Sequence, residues 1–569
     1  MAWTRLSSQN GSGGEVWERP LGDSEFAFHA FSHTGVGDMF LHLSFSAPPS
    51  LLDPERVLLA WSTLLLRHPL LLSRVIRHEG DALAEPCFSF APPKNTDELL
   101  DAARKRLTFE RYTKAEFVDR YMNGSPRPLD DDCIARLVIA RSGSSTDGDS
   151  PFDVASASPS VPVVVSSTVT GELVTGLVNG HTNIYDADRS SAKASYDLYL
   201  CAPHFSGDAL PLHQSAHDFL VLLSAPGNAT DVLRSLEIDL QAIEGKWHDR
   251  LPLPAEALLP SPAQGRLARA AAQVNYLKSQ EREVGGHTLP RKQHGPLRTV
   301  LLERGFSKEE TKRVLQICKK RGVSANHAVF ALVDVAWARM LQSGFELPIM
   351  NYTALSLRPY LTYPNAELEK HMSYWFVALT YFNIVLPAFL PKIVTCSQHE
   401  RRSFENTFWE RCRSVRDQIA YITQSKFLVH RARIMGAQRA ERAGRKWSPV
   451  TGGTAVPVSS ERALLPPSPD ALGAISPRYE PVPSKALMGI SLMGNLDKVY
   501  LADQYPEMEL HDVATASRLK AGGLLFLAHT FAGRMWLHMA YDENGFEKGS
   551  MERFWTEVQK AAEQVLIDG

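Results

Sequence analysis

The chain has 569 residues, 61 basic against 63 acidic side chains for a net charge of −2, and 44% hydrophobic residues. That length holds about two to four domains with a core that needs no covalent staple, and two lobes of roughly 200–250 residues fit it. Balanced charge without a basic block carrying interleaved aromatics argues against a nucleic-acid partner, and six scattered cysteines suit reduced cytoplasmic thiols.

In chain order, Met1 to Pro20 is polar and has no apolar core of signal-peptide type. Met39 to Ser46 alternates like a strand, and Asp53-Pro54-Glu55 supplies an N-cap, a first-turn proline and an acidic first turn. The helix that begins there carries Leu58, Trp61 and Leu65 on one stripe and stops at Pro69; Leu70 to Ile76 reads as the next strand. Ser142 to Pro162 is rich in Ser, Asp and Pro and reads as a solvated insertion.

Ser195 to Pro203 alternates Tyr196, Leu198, Leu200 and Ala202 with Asp197, Tyr199, Cys201 and Pro203, the period of a strand. It runs into His204-Phe-Ser-Gly-Asp208-Ala209, which puts an imidazole at the tip of a small-residue turn. A histidine titrates near neutral pH and is the commonest general base. Past the flexible Gly207, the Asp208 carboxylate is free to turn away from a pocket and pin the loop through an arginine. A core histidine at a strand end is the plainer reading of an isolated His-x-x-x-Asp.

The connector from about Pro252 to Arg298 is rich in Pro, Ala and charge and marks a lobe boundary, with an N-terminal lobe over 1–270, a crossover linker over 271–297 and a C-terminal lobe over 298–569. Beyond it Ser307-Lys-Glu-Glu310 forms a capping box, Gly322 ends that helix and a second helix starts near Ala325. Trp375 to Leu386 is apolar on both faces, as a central strand would be, and the longest apolar stretch, Trp375 to Leu390, contains Thr380, Asn383 and Pro387 and so falls short of a membrane span. A stretch crowded with Pro, Ser, Ala and Gly over 437–483 reads as a disordered insertion. Gly523 to Phe531 and Arg534 to Tyr541 make a hairpin around Ala532-Gly533, and the last helix begins at Ser550. Strands and helices mixed in both halves give an α/β (α+β) fold class with two lobes.

Four stretches then carry a resemblance: Leu64-Leu-Leu-Arg-His-Pro-Leu-Leu71, Pro203-His-Phe-Ser-Gly-Asp-Ala209, Leu355-Ser-Leu-Arg-Pro-Tyr-Leu361 and Ile490-Ser-Leu-Met-Gly-Asn-Leu-Asp497. In order and rough spacing the chain resembles the two-lobed CoA-dependent acyltransferases of the chloramphenicol-acetyltransferase and peptide-synthetase condensation type. Among these it is most similar to fungal enzymes of secondary metabolism like trichothecene 15-O-acetyltransferase. The resemblance implies two lobes, each a mixed sheet packed with helices, and an active-site tunnel between them. It implies His204 as the base that deprotonates an acceptor, Asp208 in a structural role and Arg358 as its ion-pair partner.

Ser491 and Asn495, on the late loop, are candidate donors to a tetrahedral oxyanion, though ordinary turn chemistry explains Ser, Gly and Asn there equally well. Two residues depart from the condensation pattern: Pro203 stands where a second histidine is usual and Ala209 where a glycine is. Neither a carrier-protein nor an adenylation segment is present, and the Asp-Phe-Gly-Trp-Gly motif of plant alcohol acyltransferases has no match. The implied activity is acyl transfer, expected as acetyl, from a soluble CoA thioester to a hydroxyl of a small hydrophobic molecule such as a terpenoid. The expected partners are acetyl-CoA or another acyl-CoA as co-substrate and a small hydroxylated acceptor, with no bound cofactor, no metal, no nucleic acid and no membrane, the chain acting as a cytoplasmic monomer. N-acylation by a free-standing condensation-type enzyme and a non-catalytic binding module of the same fold stand as alternatives.

Other constellations compete. His213 and His217, at i and i+4 beside Asp218, have metal-ligand spacing, but Leu212, Phe219, Leu220 and Leu223 make that helix amphipathic and place the histidines at the flanks of its buried stripe. His29, His33 and Asp38 make a similar weak set. His181-Thr-Asn-Ile-Tyr-Asp186 has the spacing of glycerolipid acyltransferases without their later Glu-Gly-Thr-Arg site, and no Gly-x-Ser-x-Gly elbow is present.

Overall fold

A computed structural model describes residues 2–6, 15–78, 85–141, 193–261, 265–391, 397–445 and 483–567. Two mixed sheets carry the architecture. In the first, the strand order is Glu509–Ser517, Asp38–Ala47, Ala194–Pro203, Arg136–Arg141 and Leu107–Glu110. In the second it is Leu379–Leu386, Ile349–Ser356, Met488–Asn495, Leu524–Phe531, Arg534–Asp542 and Thr299–Gly305. A small four-stranded sheet includes Val16–Pro20 and Cys87–Phe90. The fold is therefore α/β, its sheets packed with helices.

The helix Pro54–Arg67 follows from its ends: the Asp53 carboxylate accepts the Glu55 and Arg56 N–H groups, and Pro54 sits where a missing donor costs nothing. It buries Val57, Trp61, Leu64 and Leu65 in one core with Leu212 and Phe219 of the helix Ala209–Leu223. Burying each such side chain stabilises the fold by about 1.5–3 kcal/mol. After His68 the expected strand from Leu70 is delayed. Pro69–Leu72 form a 3₁₀ turn in which Leu71 and Ser73 donate to His68 and Leu70 carbonyls, and only Arg74–Ile76 is extended. The proline, with fixed φ, starts a turn more readily than a strand.

The second core packs the helices Ala325–Met340 and Ser550–Ala562 on one face of the six-stranded sheet. Its hairpin closes at Ala532 (φ 52°) and Gly533 (φ 71°), the pair of positive φ values that a two-residue turn of this twist needs. Asp497 caps that turn by accepting the Ala532 N–H at 2.7 Å. Trp375 to Leu386 is not a central strand: it becomes extended only at Leu379, lies at the sheet edge, and buries Phe382, Ile384 and Leu386 alternately.

Residues from late in the chain cross over. Glu509–Ser517 pairs antiparallel with Asp38–Ala47, so a strand from the far half completes the first sheet. Between the sheets Lys114 bridges Asp512 at 2.8 Å and Glu303 at 2.9 Å, and the His529 Nε2–H donates to the Val513 carbonyl at 3.1 Å. The Pro252–Arg298 connector holds a helix, Arg266–Glu281. The segment expected to be loose from Ala437 begins as the end of the helix Leu428–Arg442, and 446–482 lie outside the described residues, as do Ser142–Pro162 and the His181–Asp186 pair. Five of the cysteines are free thiols, and Cys396 lies outside the described residues. Among the described residues no helix is long and apolar enough to cross a membrane.

Candidate active site

The strand Ala194–Pro203 is buried on both faces: Tyr196, Leu198 and Leu200 enter the main core, while Tyr199 and Cys201 pack with Phe40 and Phe117 on the other side. A strand so held is a rigid mount for the histidine turn at its end. The His204 N–H donates to the Gly37 carbonyl at 2.8 Å, continuing the pairing of Asp38 with Pro203. Ser206 donates twice to the Pro203 carbonyl, and Phe205 is sunk in the core, so the turn has little freedom.

His204 Nδ1 lies 3.0 Å from the Gly207 carbonyl oxygen. A carbonyl only accepts, so Nδ1 carries the proton and Nε2 of the neutral ring presents a lone pair. Phe28, on the helix Asp23–Ser32, stacks on the imidazole with centroids 3.9 Å apart and planes 8° apart. Burial lowers the pKa of His204, the nearby Arg439 charge pushes the same way, and Asp208 opposes both. The ring is thereby neutral at pH 7, with its Nε2 lone pair free to accept a proton.

Asp208 turns away from the imidazole. It caps the helix Ala209–Leu223 by accepting the Leu210 N–H at 3.1 Å, and its other oxygen accepts from Arg358 Nη2 at 3.1 Å and from the Ala378 N–H at 3.0 Å. Arg358 follows the strand Ile349–Ser356, donates also to the Phe376 carbonyl at 2.9 Å, and lies over the Phe376 ring at 4.5 Å. One carboxylate thus ties the histidine turn to the edge of the other sheet. Gly207 is needed for the approach, since a Cβ there would stand 2.9 Å from the Trp375 ring.

The late-loop candidates part company. Ser491 is on the strand Met488–Asn495 beside Gly489, on the sheet face turned away from the second core and shared with Tyr352 and Tyr381. Asn495 is exposed at the strand end, where its side-chain oxygen accepts the Asp497 N–H at 3.0 Å and the Thr530 hydroxyl at 3.3 Å. It serves the local turn. Among the described residues neither makes a hydrogen bond to His204.

His213 and His217 do not flank the stripe; they are buried in it. His213 meets Tyr500 Oη and Thr515 Oγ1, each at 3.0 Å, and His217 meets Tyr505 Oη at 3.3 Å, while Asp218 accepts from Gln214 and Tyr374. Burial pushes His213 down to about 3. Of the other weak set, His29 pairs with Asp131 at 3.2 Å, Asp38 is held by Arg127, and His33 is exposed.

Phe28 and Arg439 escaped the sequence reading. Arg439 lies within the segment read as an insertion, and nothing local distinguishes Phe28 from Phe26 and Phe31 on the same short helix.

The chain matches no protein-family model and no curated protein in sequence. Its fold does match solved structures. A trichothecene 15-O-acetyltransferase from Fusarium sporotrichioides superposes with a TM-score of 0.67 at 11% identity, covering 99% of this chain and 97% of that one. The condensation domain of the monacolin K polyketide synthase gives 0.50 at 11% identity over 99% of each chain. The first condensation domain of the CDA synthetase gives 0.50 at 11% identity over 96% of each. The fold is that of the two-lobed CoA-acyltransferase and condensation-domain proteins.

Proposed function

We propose that this chain is a CoA-dependent O-acyltransferase that moves a short acyl group, acetyl first among them, onto a hydroxyl of a small hydrophobic natural product such as a terpenoid. The observation that carries the reading is His204, with Nδ1 fixed on the Gly207 carbonyl and Nε2 left as a lone pair, on a turn anchored across the sheets by Asp208 and Arg358. The shared fold with a trichothecene 15-O-acetyltransferase supports it.

In this reading the acceptor and the acyl thioester meet at His204 in a tunnel between the lobes. Nε2 takes the proton of the acceptor hydroxyl as its oxygen bonds to the thioester carbonyl carbon. The tetrahedral intermediate collapses with cleavage of the C–S bond, and the proton on Nε2 passes to the departing thiolate, giving ester and free CoA. No acyl-enzyme forms. Asp208 orients and does not touch substrate. Ser491 is our candidate donor to the oxyanion, supported by its place on the face it shares with Tyr352.

The test is free-thiol release from acetyl-CoA with a panel of hydroxylated terpenoids, phenols and amines. Release that depends on a hydroxyl acceptor supports the reading and names its class. Release with amines alone makes the chain an N-acyltransferase, and none with any donor or acceptor makes it a binding module.

A further inference from the structure

The helix Leu428–Arg442 and the residues just after it carry several arginines, and most have an identified partner. Arg431 reaches Glu283 at 3.0 Å, Arg433 donates to the Leu259 and Pro260 carbonyls, and Arg445 pairs with Asp23 and Glu85. Arg439 is different. Its guanidinium lies over the Tyr381 ring at 4.1 Å and the Phe28 ring at 5.1 Å, and among the described residues it has neither a hydrogen bond nor a carboxylate. Ring faces stabilise a cation through its plane and leave the N–H edge without an acceptor.

Phe28 links this cation to the chemistry. Phe28 covers the His204 imidazole, and the Arg439 charge is close enough to lower the His204 pKa and to act on Tyr352. Tyr352 and Tyr381 sit on one face of neighbouring strands, and among the described residues neither hydroxyl has a hydrogen-bond partner. Tyr352 passes over Gly489, where a Cβ would come within 2.4 Å of its ring. The result is an aromatic cluster of Phe28, Tyr381 and the exposed Tyr352 around a half-buried cation that offers an N–H fork, the group that holds a carboxylate in two bonds.

We infer that Arg439 binds a carboxylate of the substrate pair, carried either by the acceptor or by the far end of the acyl chain. The inference deepens the acyltransferase reading and rests on it for the chemistry at His204, but not for the binding. The phosphates of CoA are separated from the thioester by the whole pantetheine arm, so they are not the anion for a cation beside His204.

The acceptor arm compares a hydroxylated terpenoid carboxylic acid with its methyl ester, and the donor arm compares succinyl-CoA with acetyl-CoA, by thiol release and by equilibrium dialysis. Wild type should favour the carboxylate member of one pair at least tenfold in kcat/KM or Kd. Arg439→Gln should collapse that ratio toward one and Arg439→Lys should keep part of it, with unchanged thermal unfolding midpoints. A ratio near one in both arms overturns the inference while leaving the acyltransferase reading in place, and so does a preference that survives Arg439→Gln. Carboxylate-selective binding lost in Arg439→Gln, without thiol release from any pair, sustains the site and removes the acyltransferase reading.

Discussion

Removal of the Asp208 carboxylate is a test whose size follows from its contacts. Asp208 is 3% exposed and accepts three hydrogen bonds, from Leu210 N, Arg358 Nη2 and Ala378 N, at 3.0–3.1 Å. In Asp208→Ala the Arg358 guanidinium, whose side chain is 15% exposed, loses its carboxylate. Breaking a buried pair from one side costs about 3–5 kcal/mol, and loss of the helix cap adds about 1 kcal/mol. Asp208→Asn keeps the shape and one oxygen, so its cost is about 1–3 kcal/mol. Arg358→Ala should cost a similar amount to Asp208→Ala, and the double variant well under the sum, because each single variant strands the other partner. Urea unfolding of wild type and the four variants measures this, and thiol release run beside it should fall in step as the Gly207 carbonyl loses its place under His204 Nδ1. Additive costs, or Asp208→Ala within 1 kcal/mol of wild type, would refute the argument that this pair locks the turn.

Two further outcomes arise from the buried histidines. Burial holds His68 and His213 down at about 3 and His529 at about 4 from the ordinary 6.5. The folded protein leaves them neutral while the unfolded chain protonates them below about 6.5, so stability is full above that pH and falls as pH drops toward the folded values. At pH 5 each costs about 2 kcal/mol; the thermal unfolding midpoint should drop sharply between pH 7 and 5, and a flat profile there counts against the burial. At the site, Phe28→Ala admits water to the imidazole and raises the His204 pKa, so the acid limb of the pH–rate profile should move up toward 6.5. A limb that stays put or moves down contradicts the role given to the stack.

What could be read from residues was what is written locally. The period-2 run ending in His204, the Asp53 cap, the Ser307–Glu310 box and the Ala532-Gly533 turn each depend on neighbours within a few positions, and the structure has them in those forms. The elements that read wrongly are set by distant contacts. Trp375 to Ala378 are apolar like a strand, but the Ala378 N–H is taken by Asp208 and the Trp375 indole N–H by Ser215, so the run stays irregular until Leu379. Glu509–Ser517, unassigned from the sequence, joins Asp38–Ala47 from the other half of the chain, and nothing within the segment tells which sheet it joins. The candidate site divides the same way: the histidine turn is local, whereas Phe28, Tyr381 and Arg439 meet only because the helices Asp23–Ser32 and Leu428–Arg442 pack together.

The central claim is that His204 Nε2 is the base, and the most direct measurement is acceptor-dependent thiol release by His204→Ala beside direct binding of the acyl-CoA. The account predicts a loss of about 10²–10⁴-fold in turnover with CoA binding kept within a factor of about two. A His204→Ala protein that acylates its acceptor near the wild-type rate would contradict it.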